Sequence, residues 1–168
     1  NLDSTQRALE CYNNIYWILG GKAKEKNLDK LKKYFSKIQH VFLIGETKKI
    51  YKSYIKNYLK HTVSKNLKDA VKSAHYLAHT EYNSNSKNPP VILFSPACSS
   101  LDEWESFEKR GDAFIKLTNN INYCSSCFSI AESQVCEICA NPNRDKTIIC
   151  VVEDIRVLLA IENTMQYK

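Results

Sequence analysis

Three short segments before residue 95 are apolar along their whole length: residues 15–19 (IYWIL), 41–44 (VFLI) and 91–94 (VILF). A strand that is buried on both faces of a parallel sheet has this uninterrupted pattern, whereas a half-exposed strand alternates. Apolar residues recur at helical spacing between and after these segments, at 28–38, 50–59, 67–78 and 101–117. The pattern predicts an α/β fold with a parallel sheet covered by helices on both faces. We also expect a short edge strand at 61–64 and an N-cap at Asn66.

Ligands of parallel sheets bind beyond the carboxyl ends of the strands. The segments at this edge are 20–25, 45–48 and 95–101. Gly20 and Gly21 allow a sharp turn, and Lys24 behind them can bind a carboxylate or a phosphate. A lysine-rich surface loop explains the same residues, so this signal is weak.

Ser100 leads into the last predicted helix of this region. With Glu103 it fits a capping box, which is a sufficient structural explanation. In the functional alternative, Ser100 and free helix N–H groups hold an anion at the helix N-terminus. Cys98 has no histidine nearby in the sequence, so a nucleophilic role has little support.

Charge and cysteine content both change near residue 119. Residues 1–118 contain 20 basic and 12 acidic residues, a net charge of +8, whereas 119–168 contain 4 basic and 6 acidic residues, a net charge of −2. Five of the seven cysteines lie in the last 50 residues. The basic excess suggests either nucleic-acid binding or solvated helix faces, and the interleaving of lysine with Asn, Ser and Tyr favours solvated faces. Two units of different origin are the first hypothesis.

The sharpest motif is a pair of Cys-x2-Cys sequences separated by eight residues, formed by Cys124, Cys127, Cys136 and Cys139. Each pair can place two thiolates on one metal ion, and two pairs complete a tetrahedral zinc site. A closed shell of four thiolates makes the zinc structural. Two disulfides or free thiols are the alternatives, and the absence of a visible secretory signal argues against disulfides.

Residues 147–152 (TIICVV) predict a strand, followed by the acidic pair Glu153 and Asp154 and by a helix beginning at Val157. The acidic pair either binds a divalent cation or forms a solvated strand end with Asp154 as a helix cap, which is the favoured alternative. No run of eighteen apolar residues occurs, so no transmembrane helix is expected. With no signal-peptide core at the N-terminus, we expect a cytoplasmic protein, although the chain opens on Asn1 and can begin partway through a longer one.

Four stretches of residues 1–118 resemble the C-terminal domain of UDP-N-acetylmuramoylalanine–D-glutamate ligases, the MurD family: 15–24 (IYWILGGKAK), 41–46 (VFLIGE), 95–101 (SPACSSL) and 107–114 (FEKRGDAF). The resemblance implies a Rossmann-like domain that supplies the D-glutamate pocket of an ATP-dependent peptidoglycan ligase. By motif position, Lys24, Ser100, Leu101 and Phe107 would line that pocket. UDP-N-acetylmuramoyl-alanine would be the second substrate, and ATP and Mg²⁺ would bind only in an intact ligase. The ATP-binding central domain lies outside this sequence, so we expect these residues alone to be inactive.

Residues 120–168 resemble the recombination protein RecR, from the four cysteines through 141–145 (NPNRD), 149–154 (ICVVED) and 160–167 (AIENTMQY). The resemblance implies a zinc finger and the start of a Toprim domain, with Glu153 as its first acidic residue. That family works on gapped DNA as ring-like oligomers with partner proteins. The remainder of the Toprim pattern would lie beyond Lys168.

We therefore predict a Mur ligase C-terminal domain at 1–118, a four-cysteine zinc finger at 119–146 and a truncated Toprim start at 147–168. The leading hypothesis is a fragment or fusion derived from the peptidoglycan-precursor ligase and joined to a RecR-like zinc segment. The alternative is a DNA-repair and recombination accessory protein that carries the ligase domain as a passenger. No membrane partner is expected.

Overall fold

The computed structural model describes residues 1–22, 27–81, 87–127, 129–131, 133–145, 147–148, 150–152, 157, 161–162 and 164. The chain divides into two compact units, residues 1–118 and 119–168. Among the helices of these described residues, none combines the length and the apolar character needed to cross a bilayer.

In its described residues, the first unit contains a four-stranded sheet and five helical segments. Its elements in chain order are α1 (Leu2–Cys11), β1 (Ile15–Gly20), a 3₁₀ helix (Asp29–Lys37), β2 (Ile38–Ile44), α2 (Lys48–Ile55), β3 (His61–Val63), α3 (Leu67–Thr80), β4 (Val91–Phe94) and α4 (Phe107–Asn119). The strands lie in the order β3-β2-β1-β4, and every neighbouring pair is parallel. Trp17 of β1 is paired with Val41 of β2 on one side and with Leu93 of β4 on the other.

Both faces of this sheet are covered. On one face, α1, the 3₁₀ helix and α2 bury apolar side chains against alternate residues of β1 and β2, in a core that includes Leu9, Trp17, Leu31, Val41, Leu43 and Ile55. On the other face, α3 packs across β1, β2 and β4. Phe114 of α4 stacks on Phe94 of β4 with ring centroids 4.8 Å apart. The predicted α/β fold is therefore confirmed.

Side-chain N-caps explain where α3 and α1 begin. The side chain of Asn66 accepts a hydrogen bond from the Asp69 amide at 2.9 Å, as expected for the N-cap of α3. Asn1 does the same for α1 by accepting from the Ser4 amide at 2.8 Å. The polar N-terminal segment did not predict α1, because only Leu2, Thr5 and Leu9 of this helix are buried.

The segment 28–38 differs from the expected helix in type and length. It forms a 3₁₀ helix, and β2 already begins at Ile38. The apolar residues Leu28, Leu31 and Tyr34 are three positions apart and are all buried. A 3₁₀ helix has three residues per turn, so this spacing places them on one face.

The predicted helix over 101–117 is wrong at its start. Helix α4 begins at Phe107, and the hydroxyl of Ser106 accepts from the Lys109 amide at 3.3 Å. Ser100 and Glu103 therefore do not form a capping box. Residues 101–103 instead form a separate turn, in which the Glu103 and Trp104 amides donate to the Ser100 carbonyl at 3.2 and 3.0 Å, and this turn does not continue into α4.

The second unit has little regular structure in its described residues. Strands β5 (Asn122–Tyr123) and β6 (Ile130–Ala131) pair antiparallel, and α5 spans Glu137–Ala140. Its small core is formed by Cys124, Ala131 and Cys136, with Ile138 and Cys139 packed against them. The cysteines thus occupy the positions that apolar side chains fill in the first unit.

The predicted strand at 147–152 is wrong for the residues described there, namely 147, 148 and 150–152, none of which is in a strand. Val151 is 89% exposed. An apolar strand needs neighbours on which to pair, and in the described part of this unit the two strands pair with each other. Val157 is helical, as expected, whereas Glu153 and Asp154 lie outside the described residues.

Candidate functional site

Three loops meet at the carboxyl edge of the parallel sheet, where β1, β2 and β4 end. The Gly20 amide donates to the Pro96 carbonyl at 3.0 Å, which joins the first loop to the third. One step further, Lys22 and Ser99 exchange two backbone hydrogen bonds, each 3.0 Å long. Through these bonds the segments that follow β1 and β4 stay in contact past the ends of the two strands. The segments predicted to carry a ligand site thus contact one another.

Glycine is required where the first and second loops touch. Gly21 has a φ of +139°, and Gly45 has a φ of +68°. A Cβ added to Gly45 would lie 2.6 Å from the Gly21 Cα and 2.3 Å from Oδ2 of Asp102. Because Gly45 has no side chain, the Asp102 carboxylate can approach this backbone and accept from the Glu46 amide at 3.1 Å.

Cys98 lies in the third loop and is buried. Its Sγ is 3.3 Å from the Tyr51 hydroxyl and 3.9 Å from Oγ1 of Thr47. Burial raises the pKa of the Cys98 thiol above its ordinary value, and the hydrogen bond from Tyr51 opposes this only in part. Cys98 is therefore a packed thiol and not an accessible nucleophile.

The side chain of Arg110 extends from α4 to the same carboxyl edge of the sheet. Its Nη1 donates to the Ser99 carbonyl at 3.0 Å, and its Nη2 donates to the Cys98 carbonyl at 3.0 Å. Only 6% of this residue is exposed, and its guanidinium lies 5.8 Å from the centre of the Phe94 ring. Burial lowers the pKa of Arg110 from its usual value, and the nearby Asp102 carboxylate opposes that change. No pattern in the sequence indicates Arg110, Asp102 or Thr47 as residues of this site.

The predicted ligand-binding residues differ widely in exposure. Ser100 is 2% exposed, whereas Leu101 and Phe107 are 63% and 70% exposed. Ser100 and Leu101 follow the carbonyls that Arg110 holds, and Phe107 precedes Arg110 by one helical turn. The structure therefore brings these three residues to one edge. The fourth, Lys24, lies outside the described residues.

The second site is the cluster of Cys124, Cys127, Cys136 and Cys139, whose Sγ atoms all lie within 4.8 Å of one another. A tetrahedral zinc with Zn–S bonds of about 2.3 Å places its sulfur ligands about 3.8 Å apart. The Cys127 and Cys136 sulfurs are 3.6 Å apart, which is far too long for a disulfide bond. All seven cysteines of the chain are free thiols. This donor set fits a zinc ion.

Backbone geometry supports each half of the cluster. The Ser126 amide points at the Cys124 sulfur, and the Cys139 amide points at the Cys136 sulfur, both at 3.4 Å. Backbone N–H groups, that of Cys136 first, lower the pKa of Cys124 to about 6. Burial raises the pKa of Cys136, and it raises that of Cys139 to about 12. Neutral thiols are thus favoured at two of the four positions in the absence of a cation.

Comparison with known proteins identifies the cluster. Residues 121–141 match the family model of the four-cysteine zinc finger domain of RecR. The chain is also similar to UDP-N-acetylmuramoylalanine–D-glutamate ligases. It is 36% identical to that of Wolbachia pipientis wMel over 127 residues, which are 76% of this chain and 24% of the relative. It is 44% identical to that of Paramagnetospirillum magneticum over 117 residues, which are 70% of this chain and 25% of the relative.

A third ligase, from the Wolbachia of Brugia malayi, is 39% identical over 117 residues, or 70% of this chain and 22% of that protein. The chain thus spans about a quarter of the length of the ligases that it matches. The resemblance to D-glutamate ligases is confirmed, and the resemblance to RecR is confirmed over the zinc finger, residues 121–141. A MurD-like α/β unit and a RecR-like four-cysteine segment occur in one polypeptide.

Proposed function

We propose that residues 1–118 form the D-glutamate-binding half of a peptidoglycan-precursor ligase site. The observation that carries this proposal is the 33–44% identity to D-glutamate ligases over most of the chain. The exposed apolar side chains of Leu101 and Phe107 at the carboxyl edge support it, because large exposed apolar groups often mark a surface that contacts a ligand or another domain.

Each proposed residue has a distinct role. Lys24 would neutralise one carboxylate of D-glutamate, and Phe107 would pack against the aliphatic carbons. Ser100 would form the floor of the site with its hydroxyl, and Leu101 would cover it. Helix α4 begins at Phe107, so the N–H groups of its first turn lie near Phe107 and not at Ser100.

The complete ligase reaction adds D-glutamate to UDP-N-acetylmuramoyl-alanine with ATP. By family resemblance, ATP and Mg²⁺ are held by a central domain, which would close over the D-glutamate half-site. We propose only the recognition of D-glutamate for the residues described here, and a cytoplasmic location by analogy with these ligases. A half-site of this kind binds weakly, with a dissociation constant of about a millimolar or higher.

An NMR titration of the whole chain with D-glutamate, with L-glutamate as the comparison, tests this proposal. Shifts confined to residues 20–24 and 95–107, and larger for the D enantiomer, are the expected result. Equal shifts for both enantiomers, spread over the exposed lysines, would mean nonspecific charge pairing and would contradict it.

We propose further that the four cysteines hold one structural zinc ion. The match to the RecR zinc finger and the spacing of the four sulfurs support this. With four thiolate ligands the ion has no open position for substrate, so it would stabilise residues 119–146 and take no part in a reaction.

The same match favours a second candidate function, DNA binding as a recombination accessory protein with protein partners. Fluorescence anisotropy of a labelled gapped duplex tests this function. Binding that weakens with salt and is lost when zinc is removed would favour it. Binding unchanged by zinc removal would assign any affinity to the basic first unit, which carries a net charge of +8.

A further inference from the structure

The segment that joins β4 to the exposed Leu101 has no regular secondary structure. Ala97 has a φ of +57°, which is uncommon for a residue with a side chain. Backbone bonds hold it at three points: the Gly20 amide donates to the Pro96 carbonyl, Ser99 and Lys22 exchange two bonds, and the Ser100 carbonyl accepts from the Glu103 and Trp104 amides. The Cys98 carbonyl is not among these groups, and its direction depends on side-chain contacts.

Arg110 provides such contacts at the start of the segment. Its two terminal nitrogens donate to the carbonyls of Cys98 and Ser99, both at 3.0 Å. The planar guanidinium fixes the directions of these two carbonyls together, whereas a lysine ammonium would approach as a point charge. The guanidinium is buried against Gly21, where an added Cβ would lie 2.9 Å from Nη1.

Asp102 provides a contact at the end of the segment. Its Oδ2 accepts from the Glu46 amide at 3.1 Å, in the loop that follows β2. The chain between the two tethers contains Ser100, which is 2% exposed, and Leu101, which is 63% exposed. Ser100 thus faces the protein interior and Leu101 faces solvent, and this difference depends on the backbone conformation between the two tethers.

We propose that Arg110 and Asp102 are positioning residues that hold the two ends of segment 98–102 and so set the presentation of Ser100 and Leu101. Arg110 also lies three residues after Phe107 on α4, so the same side chain fixes Phe107 relative to Leu101. This inference rests on the proposed D-glutamate site for its functional meaning, and on the contacts of the segment for its structural meaning.

Arg110→Lys is the informative variant, because it keeps the charge and loses the planar fork. Lys109→Met is the matched control, since Lys109 is the exposed neighbour on the same helix. We expect Arg110→Lys to shift the amide signals of 98–101. We also expect it to speed hydrogen exchange of the Ser99 amide by about tenfold, the size of effect for losing one charge-assisted hydrogen bond. The amide signals of β1 and β2 should stay in place in both variants.

D-glutamate affinity is the second readout. Arg110→Lys should weaken it about fivefold or more, and Asp102→Asn should retain it because the amide keeps an acceptor oxygen for Glu46. Unchanged exchange at Ser99 together with unchanged affinity would overturn the proposal. If the unaltered chain does not bind D-glutamate, the proposed function fails, whereas exchange at Ser99 still decides the positioning role. If Arg110→Lys unfolds, Asp102→Ala decides the same question through the signals of 98–102.

Discussion

Gly21 and Thr47 are joined by two hydrogen bonds, one in each direction. The Gly21 amide donates to the Thr47 hydroxyl at 3.2 Å, and the Thr47 amide donates to the Gly21 carbonyl at 3.2 Å. The pair joins the loop after β1 to the start of α2, directly behind the carboxyl edge of the sheet. Any site built from these loops depends on this contact for its shape.

Thr47→Val should destabilise the first unit by about 1–3 kcal/mol, because the buried Gly21 amide loses its acceptor while the shape of the side chain is kept. Thr80→Val is the control. Its exposed hydroxyl bonds only to carbonyls of its own helix, so a change within about 0.5 kcal/mol is expected. Urea denaturation of both variants measures the difference. Equal stability of the two would show that the Gly21–Thr47 contact does not matter.

Gly45→Ala should destabilise the unit by more than about 3 kcal/mol, because it combines a positive φ with a Cβ 2.3 Å from the Asp102 carboxylate. Gly111→Ala is the matched control. Nothing lies within 4 Å of a Cβ at Gly111, which is inside α4, so about 0.5–1 kcal/mol of stabilisation is expected. Melting temperatures that fall in both variants, or in neither, would contradict the described geometry.

Tyr16→Phe should cost about 1 kcal/mol at neutral pH, because the Tyr16 hydroxyl donates to Glu81 at 2.6 Å. Burial, and then Glu81, raises the pKa of Tyr16 well above its ordinary value of 10. This contribution is fully present below pH 10 and is lost as the pH rises through the folded-state pKa, since the unfolded tyrosine ionises first. The advantage over Tyr16→Phe in urea denaturation should therefore shrink above pH 10. A constant difference up to pH 11 would show that the pKa is not raised.

Freshly reduced protein should contain one zinc per chain by elemental analysis. Cys127→Ser should lose most of the metal and loosen residues 122–146 in hydrogen exchange, while 1–118 stay protected. Cys150→Ser is the control, because Cys150 is exposed and outside the cluster. The same zinc content in both variants, or none in the unaltered protein, would contradict the proposed metal site.

The strands were predictable because burial on both faces leaves a direct pattern in the sequence. Residues 15–19, 41–44 and 91–94 all lie in strands of the parallel sheet, and the predicted edge strand at 61–64 is β3. The clustering of the four cysteines was also predictable from the sequence. Each Cys-x2-Cys pair can bind one metal ion with both thiolates, and two such pairs complete a tetrahedral site.

Features that depend on distant contacts were not predictable. Helix α4 begins only at Phe107, after a separate turn at 101–103 that follows the bonds between Ser99 and Lys22, two residues 77 positions apart in the sequence. Arg110 lies within a motif used for the resemblance, yet a charged helix residue is exposed by default and only the structure shows it buried. The apolar run at 147–152 suggested a strand, but its described residues do not form one. A sequence pattern carries no information about whether a strand has a partner with which to pair.

The D-glutamate affinity of Phe107→Ala tests the central claim most directly. Phe107 is 70% exposed, so its removal leaves the core intact, and Ile115→Ala on the same helix, where Ile115 is 56% exposed, is the control. Dissociation constants for both glutamate enantiomers are to be measured by NMR. We predict that the unaltered chain and Ile115→Ala prefer D-glutamate, and that Phe107→Ala binds it about fivefold or more weakly. Equal affinity of Phe107→Ala and Ile115→Ala, or no preference for D-glutamate in the unaltered chain, would contradict the account.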